Sequence, residues 1–319
     1  MAYILGFDGG ATKSIAMVLD TDSGKKIEEM SGPTNFRANG LEETKKNIVK
    51  PVSGLVNKIK VNSGKRDIFF QSACFGFSGC DVDEDYQVYK DMLFQSEIGD
   101  LLDPDHTIVC NDTIIGLAAA SQNKNRILLN CGTGGICYGE NGSGEKTRVN
   151  GWDYILGDEG SGYSISIRAL RAVMQAFDGR GEKTCLSGMV LKSLGLDSEE
   201  DLVNWAYDKK TSKEDIASIS MDVCKAAGEG DNVSIKILKD ESLEAFKNVS
   251  AAVNKLDLGN KCFDLVLTGS IFKCEKYFKL ELLEELKNRY KKINIKEFVN
   301  KPVLGAISIA LEGLSIKTG

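Results

Sequence analysis

The sequence predicts a mixed α/β protein made of two similar halves with a ligand-binding cleft between them. Each half opens with the same succession: a strand, a turn rich in Gly and Thr, a second strand, another turn and a third strand. Helical patterns dominate after each opening. A repeated order of this kind indicates internal duplication, and the interface between duplicated α/β halves is a preferred place for a ligand. Because glycine turns between strands are common, a chance match stays the alternative.

The first half begins with three short strands. Apolar and alternating patterns predict strands at 3–8, 14–20 and 26–30, and the residues between them have the length and composition of hairpin turns. Helices and strands alternate beyond them: a helix at 41–60 interrupted or bent by Pro51, a strand at 68–77, a helix at 84–96, a strand at 107–110 and a helix at 113–121.

The second half repeats this opening. Strands are predicted at 126–130, 136–139 and 146–149, with Gly-rich turns between them. The later predicted elements are helices at 161–177, 199–207, 213–228 and 232–256, a strand at 263–267, a helix at 280–291, a strand at 293–295 and a helix at 303–314.

Size and composition restrict the possible functions. A chain of 319 residues can bury the cores of two ordinary domains, and 42% hydrophobic residues are typical of a globular protein. A formal net charge of −6 argues against a nucleic-acid partner or an anionic membrane surface. No apolar run approaches the roughly 18 residues that span a membrane. The first residues read directly as a strand, so we expect no leader segment and a cytoplasmic location.

The cysteine and histidine content argues against zinc-type cysteine sites and against catalytic or metal sites that depend on several histidines. The nine cysteines are scattered without a C-x-x-C or zinc-type spacing, so we expect reduced, mostly buried thiols. The only histidine, His106, would have to carry any Ser-His-Asp, Cys-His or His-rich metal site alone. We therefore interpret His106 as an ordinary loop or strand-end residue.

A phosphate-binding turn is predicted after the first strand, in Asp8-Gly9-Gly10-Ala11-Thr12-Lys13. Glycines allow backbone N–H groups to approach a polyanion, and Thr12 and Lys13 can add donors. Asp8 would face a bound Mg²⁺, through water. An ordinary hairpin turn is the alternative, and the segment is not a Walker A loop.

A second turn of the same kind follows the first strand of the second half, in Gly132-Thr133-Gly134-Gly135. Two such turns could hold the β- and γ-phosphates of ATP from both sides. Phosphoryl transfer needs mainly positioning and neutralisation of charge, so this arrangement suits it.

Asp112 is the candidate catalytic base. It follows the predicted strand 107–110, and a kinase that acts on a hydroxyl needs a carboxylate directed at that proton. The alternative is that Asp112 is the N-cap of the next helix, since Asp is a strong cap.

Two segments have the composition of a sugar-hydroxyl site. Asn150-Gly151-Trp152-Asp153 and Gly157-Asp158-Glu159-Gly160-Ser161-Gly162 combine amide, carboxylate and aromatic side chains with glycines. A capping turn before the following helix is the competing interpretation.

Taken in order, these segments resemble a known family. The matching segments are Asp8–Lys13, Asn111-Asp112, Gly132–Gly134, Gly151-Trp152, Leu156–Ser161 and Thr268-Gly269-Ser270. They are similar to the N-acetylglucosamine kinase branch of the BadF/BadG/BcrA/BcrD ATPase family, within the acetate/sugar kinase–Hsp70–actin superfamily. The resemblance implies two duplicated RNase H-like (actin-like ATPase) domains, residues 1–115 joined by a C-terminal helix 302–319, and residues 116–301.

The resemblance also implies roles for individual residues. Asp112 would take the proton from the O6 hydroxyl of an amino sugar, and Asp8 would lie near Mg²⁺. The implied ATP-binding residues are Asp8, Gly9, Gly10, Thr12, Lys13, Gly132, Thr133, Gly134, Ala227, Gly228, Gly269 and Ser270. The implied sugar-binding residues are Asn35, Gly151, Trp152 and Asp158. ATP and Mg²⁺ would be the cofactors and a small-molecule sugar the partner. A homodimer is one possible assembly, which the sequence leaves open.

The sugar itself stays open between N-acetylglucosamine, glucosamine and N-acetylmuramic acid. Arg37 could pair with a substrate carboxylate such as the lactyl group of N-acetylmuramic acid, or it could be a solvated loop residue. Residues 135–137 and 153–155 differ from the animal enzymes of the branch, which leaves the acyl-group pocket undefined. Two alternative functions are an ATPase activator of a 2-hydroxyacyl-CoA dehydratase or benzoyl-CoA reductase system, and a non-catalytic sensor.

Overall fold

A computed structural model describes residues 3–64, 67–298 and 301–315, which form two compact units. Unit 1 comprises the chain up to Gln122 together with the segment from Phe298 onwards, and unit 2 comprises Asn123–Glu297. The chain therefore leaves unit 1, builds unit 2 without interruption, and returns to complete unit 1. Residues 316–319 of the predicted C-terminal helix lie outside the described residues.

Each unit is built on a mixed five-stranded sheet. In unit 1 the strands are β1 (Tyr3–Gly9), β2 (Ser14–Asp20), β3 (Lys26–Ser31), β4 (Phe70–Phe77) and β5 (Thr107–Asn111), in the order β3-β2-β1-β4-β5. In unit 2 they are β6 (Arg126–Cys131), β7 (Gly135–Glu140), β8 (Lys146–Asn150), β9 (Phe263–Thr268) and β10 (Ile293–Glu297), in the order β10-β9-β6-β7-β8. Both sheets have three antiparallel strands followed by two parallel ones. The predicted α/β class with two similarly built halves is confirmed.

Thirteen α-helices accompany these strands in the described part of the chain. They are α1 (Phe36–Asn39), α2 (Leu41–Ser63), α3 (Asp83–Phe94), α4 (Asp112–Ala120), α5 (Asp153–Leu156), α6 (Gly162–Phe177), α7 (Leu186–Leu194), α8 (Glu199–Tyr207), α9 (Lys213–Ser218), α10 (Ser220–Gly228), α11 (Asn232–Lys255), α12 (Leu280–Arg289) and α13 (Pro302–Ser315). Short 3₁₀ turns at 99–101, 104–106 and 270–273 and a π-helical turn at 275–279 complete the order. Within the described ranges, no helix is both long enough and apolar enough to cross a membrane.

Unit 1 covers both faces of its sheet with helices. Successive residues of a strand point to opposite faces, so Leu5 and Phe7 of β1 pack with α2 and α3, whereas Ile4 packs with α4 and α13. Helices α4 and α13 approach so closely that a Cβ on Gly305 would lie 1.8 Å from the Ile115 carbonyl oxygen. The predicted domain boundary after residue 115 falls inside α4, whose packing on α13 places residues 116–122 in unit 1.

Unit 2 has one continuous apolar core beneath its sheet, formed chiefly with α6, α7, α10 and α11. The predicted helix at 213–228 is divided into α9 and α10 at the buried Ile219, and α7 was not predicted. Cys224 of α10 and Cys274, which follows β9, form a disulfide with Cα atoms 5.4 Å apart. The expectation of reduced thiols is therefore wrong for this pair, while the other seven cysteines, which all lie in the described ranges, are not disulfide-bonded.

Candidate active site

The carboxyl ends of three parallel strands define the candidate site of unit 1. Asp8 lies near the end of β1, opposite Gly76 of β4, and Asp112 directly follows the last residue of β5. Open α/β sheets bind ligands at this edge, because the loops that leave parallel strands meet there. The structure thus brings Asp8 and Asp112 to the same edge of one sheet.

Asp112 is free of the capping role that was its alternative interpretation. Asn111 is the N-cap of α4, since its Oδ1 accepts the Thr113 N–H at 2.8 Å. Asp112 is the first helical residue, where the N-terminal dipole favours a negative charge. Burial, together with the negative charge of Asp8, raises the pKa of Asp112 to about 6. A carboxylate whose pKa lies just below neutrality is ionised at pH 7 and still basic enough to accept a proton.

Asp8, the residue predicted to face Mg²⁺, lies at this edge of the sheet together with Asp112. Burial raises the pKa of Asp8 to about 6, although the nearby Lys13 lowers it. Among the described residues, no group of three or more His, Cys, Asp or Glu side chains could hold a metal ion. Mg²⁺ in phosphoryl-transfer sites is bound by one or two carboxylates plus substrate phosphates and water, and the carboxylate of Asp8 is a group of that kind.

The turn after β1 is packed closely against its neighbours. A Cβ on Gly9 would lie 2.5 Å from Phe77 and from the Thr34 hydroxyl, so only glycine fits there. The Gly10 N–H donates to the Lys13 carbonyl at 3.1 Å, and the Thr34 N–H donates to the Gly10 carbonyl at 3.1 Å. Thr12 and Lys13 at the tip are exposed. The turn therefore has a fixed base and a tip open to a ligand.

Asn35 lies beside this turn. Its Oδ1 caps α1 by accepting the Arg37 N–H at 3.0 Å, and its amide adjoins Gly79, where a Cβ would lie 2.7 Å from Asn35 Nδ2. Gly79 has a φ of 80°, and it lies two residues beyond the end of β4. Sequence reasoning missed Gly79, although a glycine at the end of a buried strand was an available signal. The Arg37 guanidinium is paired with Asp85, which is almost fully buried.

In unit 2, the second phosphate-type turn is hydrogen-bonded to the segment predicted to bind sugar. The N–H groups of Gly162 and Tyr163, at the start of α6, donate to the carbonyls of Gly132 and Thr133 at 2.8 and 3.1 Å. Asp158 Oδ1 accepts the Gly135 N–H at 3.0 Å. Two stretches recognised separately in the sequence are therefore one hydrogen-bonded structure.

The turn after β9 touches the same structure. Gly269 has a φ of 112°, and a Cβ there would lie 2.2 Å from the Cys131 carbonyl oxygen. Gly269 thus lies directly against the start of the Gly132 turn, and Ser270 follows it in the chain. Ala227 and Gly228 are the last residues of α10, and the disulfide of Cys224 joins this helix to the chain just after the Ser270 turn.

The predicted sugar-binding segment has a strained backbone and an exposed surface. Asn150 and Asp153 have φ values of 63° and 68°, a region that non-glycine residues rarely adopt. Trp152 is 54% exposed, and the Arg148 guanidinium lies 4.5 Å from the centre of its ring system. Strain of this kind is found chiefly at functional sites, where surrounding contacts maintain it.

Two side chains that the sequence interpretation missed hold this segment from helices far along the chain. Glu241 of α11 is buried and accepts the Gly160 N–H at 2.7 Å and the Ser164 hydroxyl at 2.8 Å. Lys213 of α9 donates to Asp153 and Asp158. Lys213 is the first residue of the short helix α9 and Glu241 lies within the long helix α11, and neither residue belongs to a sequence motif.

The sequence matches the model of a known protein family along nearly its whole length. The model of the BadF/BadG/BcrA/BcrD ATPase family matches residues 5–313. The chain belongs to this family. The predicted resemblance is therefore confirmed over nearly the whole sequence.

Two relatives of named function match this chain over nearly their full length. A protein of Clostridium acetobutylicum named N-acetylmuramic acid/N-acetylglucosamine kinase is 36% identical over 310 residues, covering 97% of this chain and 98% of the relative. A protein of Dictyostelium discoideum named N-acetyl-D-glucosamine kinase is 31% identical over 314 residues, covering 96% and 97%.

Solved structures agree on the fold. A candidate N-acetylglucosamine kinase from Chromobacterium violaceum matches with a TM-score of 0.70 at 19% identity, covering 97% of this chain and 99% of that one. A ROK hexokinase from Thermus thermophilus matches with a TM-score of 0.50 at 15% identity, covering 99% of both chains. At these identities the similarity supports the architecture of this BadF/BadG/BcrA/BcrD family member and nothing finer.

Proposed function

We propose that this chain is an ATP-dependent amino-sugar kinase, in which Asp112 accepts the proton of the attacking sugar hydroxyl. The observation that carries the proposal is the state of Asp112, which lies at the carboxyl edge of the sheet, is released from capping by Asn111, and has its pKa raised to about 6. The names of the two relatives support the class of reaction and of substrate.

Within unit 1, the proposed roles are supported by positions at or beside the carboxyl edge of the sheet. Asp112 would hold the hydroxyl proton at a carboxylate oxygen as the sugar oxygen bonds to the γ-phosphorus of ATP and the bond from that phosphorus to the bridging oxygen breaks to leave ADP. Asp112 would then release the proton to water. Asn35, beside the Gly9 turn, would donate to a sugar oxygen. Thr12 and Lys13 would contact phosphate oxygens from the exposed tip of the turn, and Asp8 would hold Mg²⁺ through water.

Within unit 2, the proposed ATP contacts are backbone groups and small side chains. Thr133 and the glycines on either side of it would bind phosphate oxygens. Ala227, Gly228, Gly269 and Ser270 would border adenosine. When bound, Mg²⁺–ATP supplies the phosphoryl group and neutralises its charge.

The sugar contacts proposed for unit 2 are Gly151, Trp152 and Asp158. An exposed indole can stack on the apolar face of a sugar ring, and a carboxylate accepts hydrogen bonds from hydroxyl groups. Arg37 is already engaged by Asp85, while 61% of its side chain is exposed, so N-acetylmuramic acid stays a candidate beside N-acetylglucosamine and glucosamine. The O6 position, a cytoplasmic location and a homodimer are further parts of the proposal.

The deciding experiment is ADP release by the purified protein over a panel of sugars. N-acetylglucosamine, glucosamine, N-acetylmuramic acid, N-acetylmannosamine and glucose should give unequal rates, with an amino sugar fastest. Phosphorus NMR of the product identifies the phosphorylated oxygen. Sugar-independent ATP hydrolysis across the whole panel would contradict the kinase proposal and favour the ATPase activator.

A further inference from the structure

Lys213 of unit 2 forms ion pairs with two carboxylates, although it belongs to no motif. It is the first residue of α9, and its ammonium lies 2.5 Å from Asp153 Oδ1 and 2.5 Å from Asp158 Oδ2. Its side chain is only 25% exposed. Burial alone would lower the pKa of Lys213, but the hydrogen bonds to both carboxylates raise it, so this lysine is charged at neutral pH.

Two tyrosine rings complete its surroundings. The Lys213 ammonium lies 5.9 Å from the ring centres of Tyr154, in α5, and Tyr163, in α6. An ammonium at about 6 Å from an aromatic face is attracted by the ring quadrupole. One side chain of α9 therefore lies near α5, which joins the two predicted sugar-binding stretches, and near α6, which follows them.

The two carboxylates that Lys213 holds have different structural tasks. Asp158 is buried, and its other oxygen accepts the Gly135 N–H of the phosphate-type turn. Asp153 is exposed, but its backbone is left-handed, and its carbonyl accepts the Gly157 N–H that closes the turn around Trp152. Lys213 thus joins the Trp152 turn to the phosphate-type turn through two side chains.

We propose that Lys213 is a positioning residue that fixes the Trp152 turn and Asp158 for sugar binding, an inference that rests on the proposed kinase function. The cation compensates a carboxylate that is buried beside backbone groups, and removal of one partner from a buried pair leaves an unpaired charge. The contact with exposed Asp153 is a solvent-screened pair and is worth little by itself. Removal of the Lys213 side chain should therefore weaken sugar binding much more than removal of the Asp153 side chain.

The first test compares Lys213→Met with Lys210→Met, which removes an exposed lysine from the preceding turn. We expect Lys213→Met to raise the KM for the preferred sugar about tenfold or more, the size of one lost hydrogen bond to a charged group, with a much smaller change in the KM for ATP. Lys213→Arg should recover most of this loss, and Lys210→Met should behave like the wild type. An unchanged sugar KM in Lys213→Met, or an equal loss in Lys210→Met, overturns the proposal.

The second test is independent of catalysis. The chain has only two tryptophans, Trp152 and Trp205, so a Trp205→Phe background reports on Trp152 alone. In that background, Lys213→Met should increase the acrylamide quenching of Trp152, and Lys210→Met should not. If the wild type turns over no sugar, the kinase proposal fails, and the quenching result alone decides whether Lys213 positions the turn. Unchanged quenching in that case overturns the positioning role as well.

Discussion

Replacement of the proposed base should make the protein less active and more stable at the same time. Asp112→Asn removes a carboxylate whose pKa burial and Asp8 raise from 3.8 to about 6. A raised pKa means that folding disfavours the ionised form. The resulting loss of folding free energy is absent below pH 3.8, where the Asp112 carboxyl is protonated in both the folded and the unfolded protein, and it is complete above pH 6. The asparagine variant avoids it at every pH.

The expected size follows from the shift. One pKa unit corresponds to about 1.4 kcal/mol, so the free energy of unfolding of unit 1 should rise by up to about 3 kcal/mol at pH 7.5. The gain should shrink as the pH falls through 6 and vanish near pH 4. Turnover should fall roughly 10²- to 10⁴-fold, because the proton acceptor is lost.

The assay is urea denaturation of wild type and Asp112→Asn from pH 4 to pH 8. Hydrogen exchange read on peptides of β4 and β5 isolates unit 1, since both tryptophans lie in unit 2. Asp91→Asn, which removes an exposed carboxylate of α3, is the matched control and should change stability by no more than about 0.5 kcal/mol. Equal stability of Asp112→Asn and wild type at pH 7.5, or near-normal turnover, would refute the assignment.

Three further predictions concern pH and the support of the unit 2 turns. The value of kcat/KM should rise with pH as Asp112 ionises near pH 6 and then level off, and a rate that is already constant from pH 5 to pH 8 would contradict its role as base. Gly269→Ala should lower Tm by several degrees and raise the KM for ATP, because its backbone is left-handed and a Cβ would meet a β6 carbonyl, while Gly259→Ala, where nothing lies within 4 Å, should change little. Glu241→Leu should lower the free energy of unfolding by about 1–3 kcal/mol in urea denaturation, because it leaves the buried Gly160 N–H without its acceptor. The control Asp240→Asn affects only a partly exposed ion pair with Arg168 and should lower that free energy by well under 1 kcal/mol. Similar losses in the two variants would contradict the supporting role of Glu241.

Most of the fold could be predicted from the sequence because the signals for its strands and turns are local. Apolar and alternating patterns predicted all ten strands, and the order of elements with the glycine turns predicted the duplication, since these signals depend on neighbours within a few residues. Helix α7 was missed, and the break between α9 and α10 at Ile219 was not anticipated. Both depend on how helices pack over the sheet, which local propensity does not encode.

The candidate site was readable only in part. Asn111 and Asp112 are both good caps, and the backbone at the end of β5 decides between them. Glu241 and Lys213 come from helices that pass beside the predicted turns only after folding. The disulfide between Cys224 and Cys274 spans 50 residues without a spacing motif, so it could not be inferred from the sequence.

The return of the chain to unit 1 has a consequence for biosynthesis. Ile4, Cys74 and Ile115 are covered by Val303 and Ile307 of α13, and the ribosome must translate all of Asn123–Glu297 before it makes that helix. At a translation rate of about 5–20 residues per second, one apolar face of the unit 1 sheet stays uncovered for roughly 10 to 35 s until α13 is synthesised. Unit 2, encoded without interruption, should therefore finish folding first, and the nascent protein should need a chaperone most during that interval.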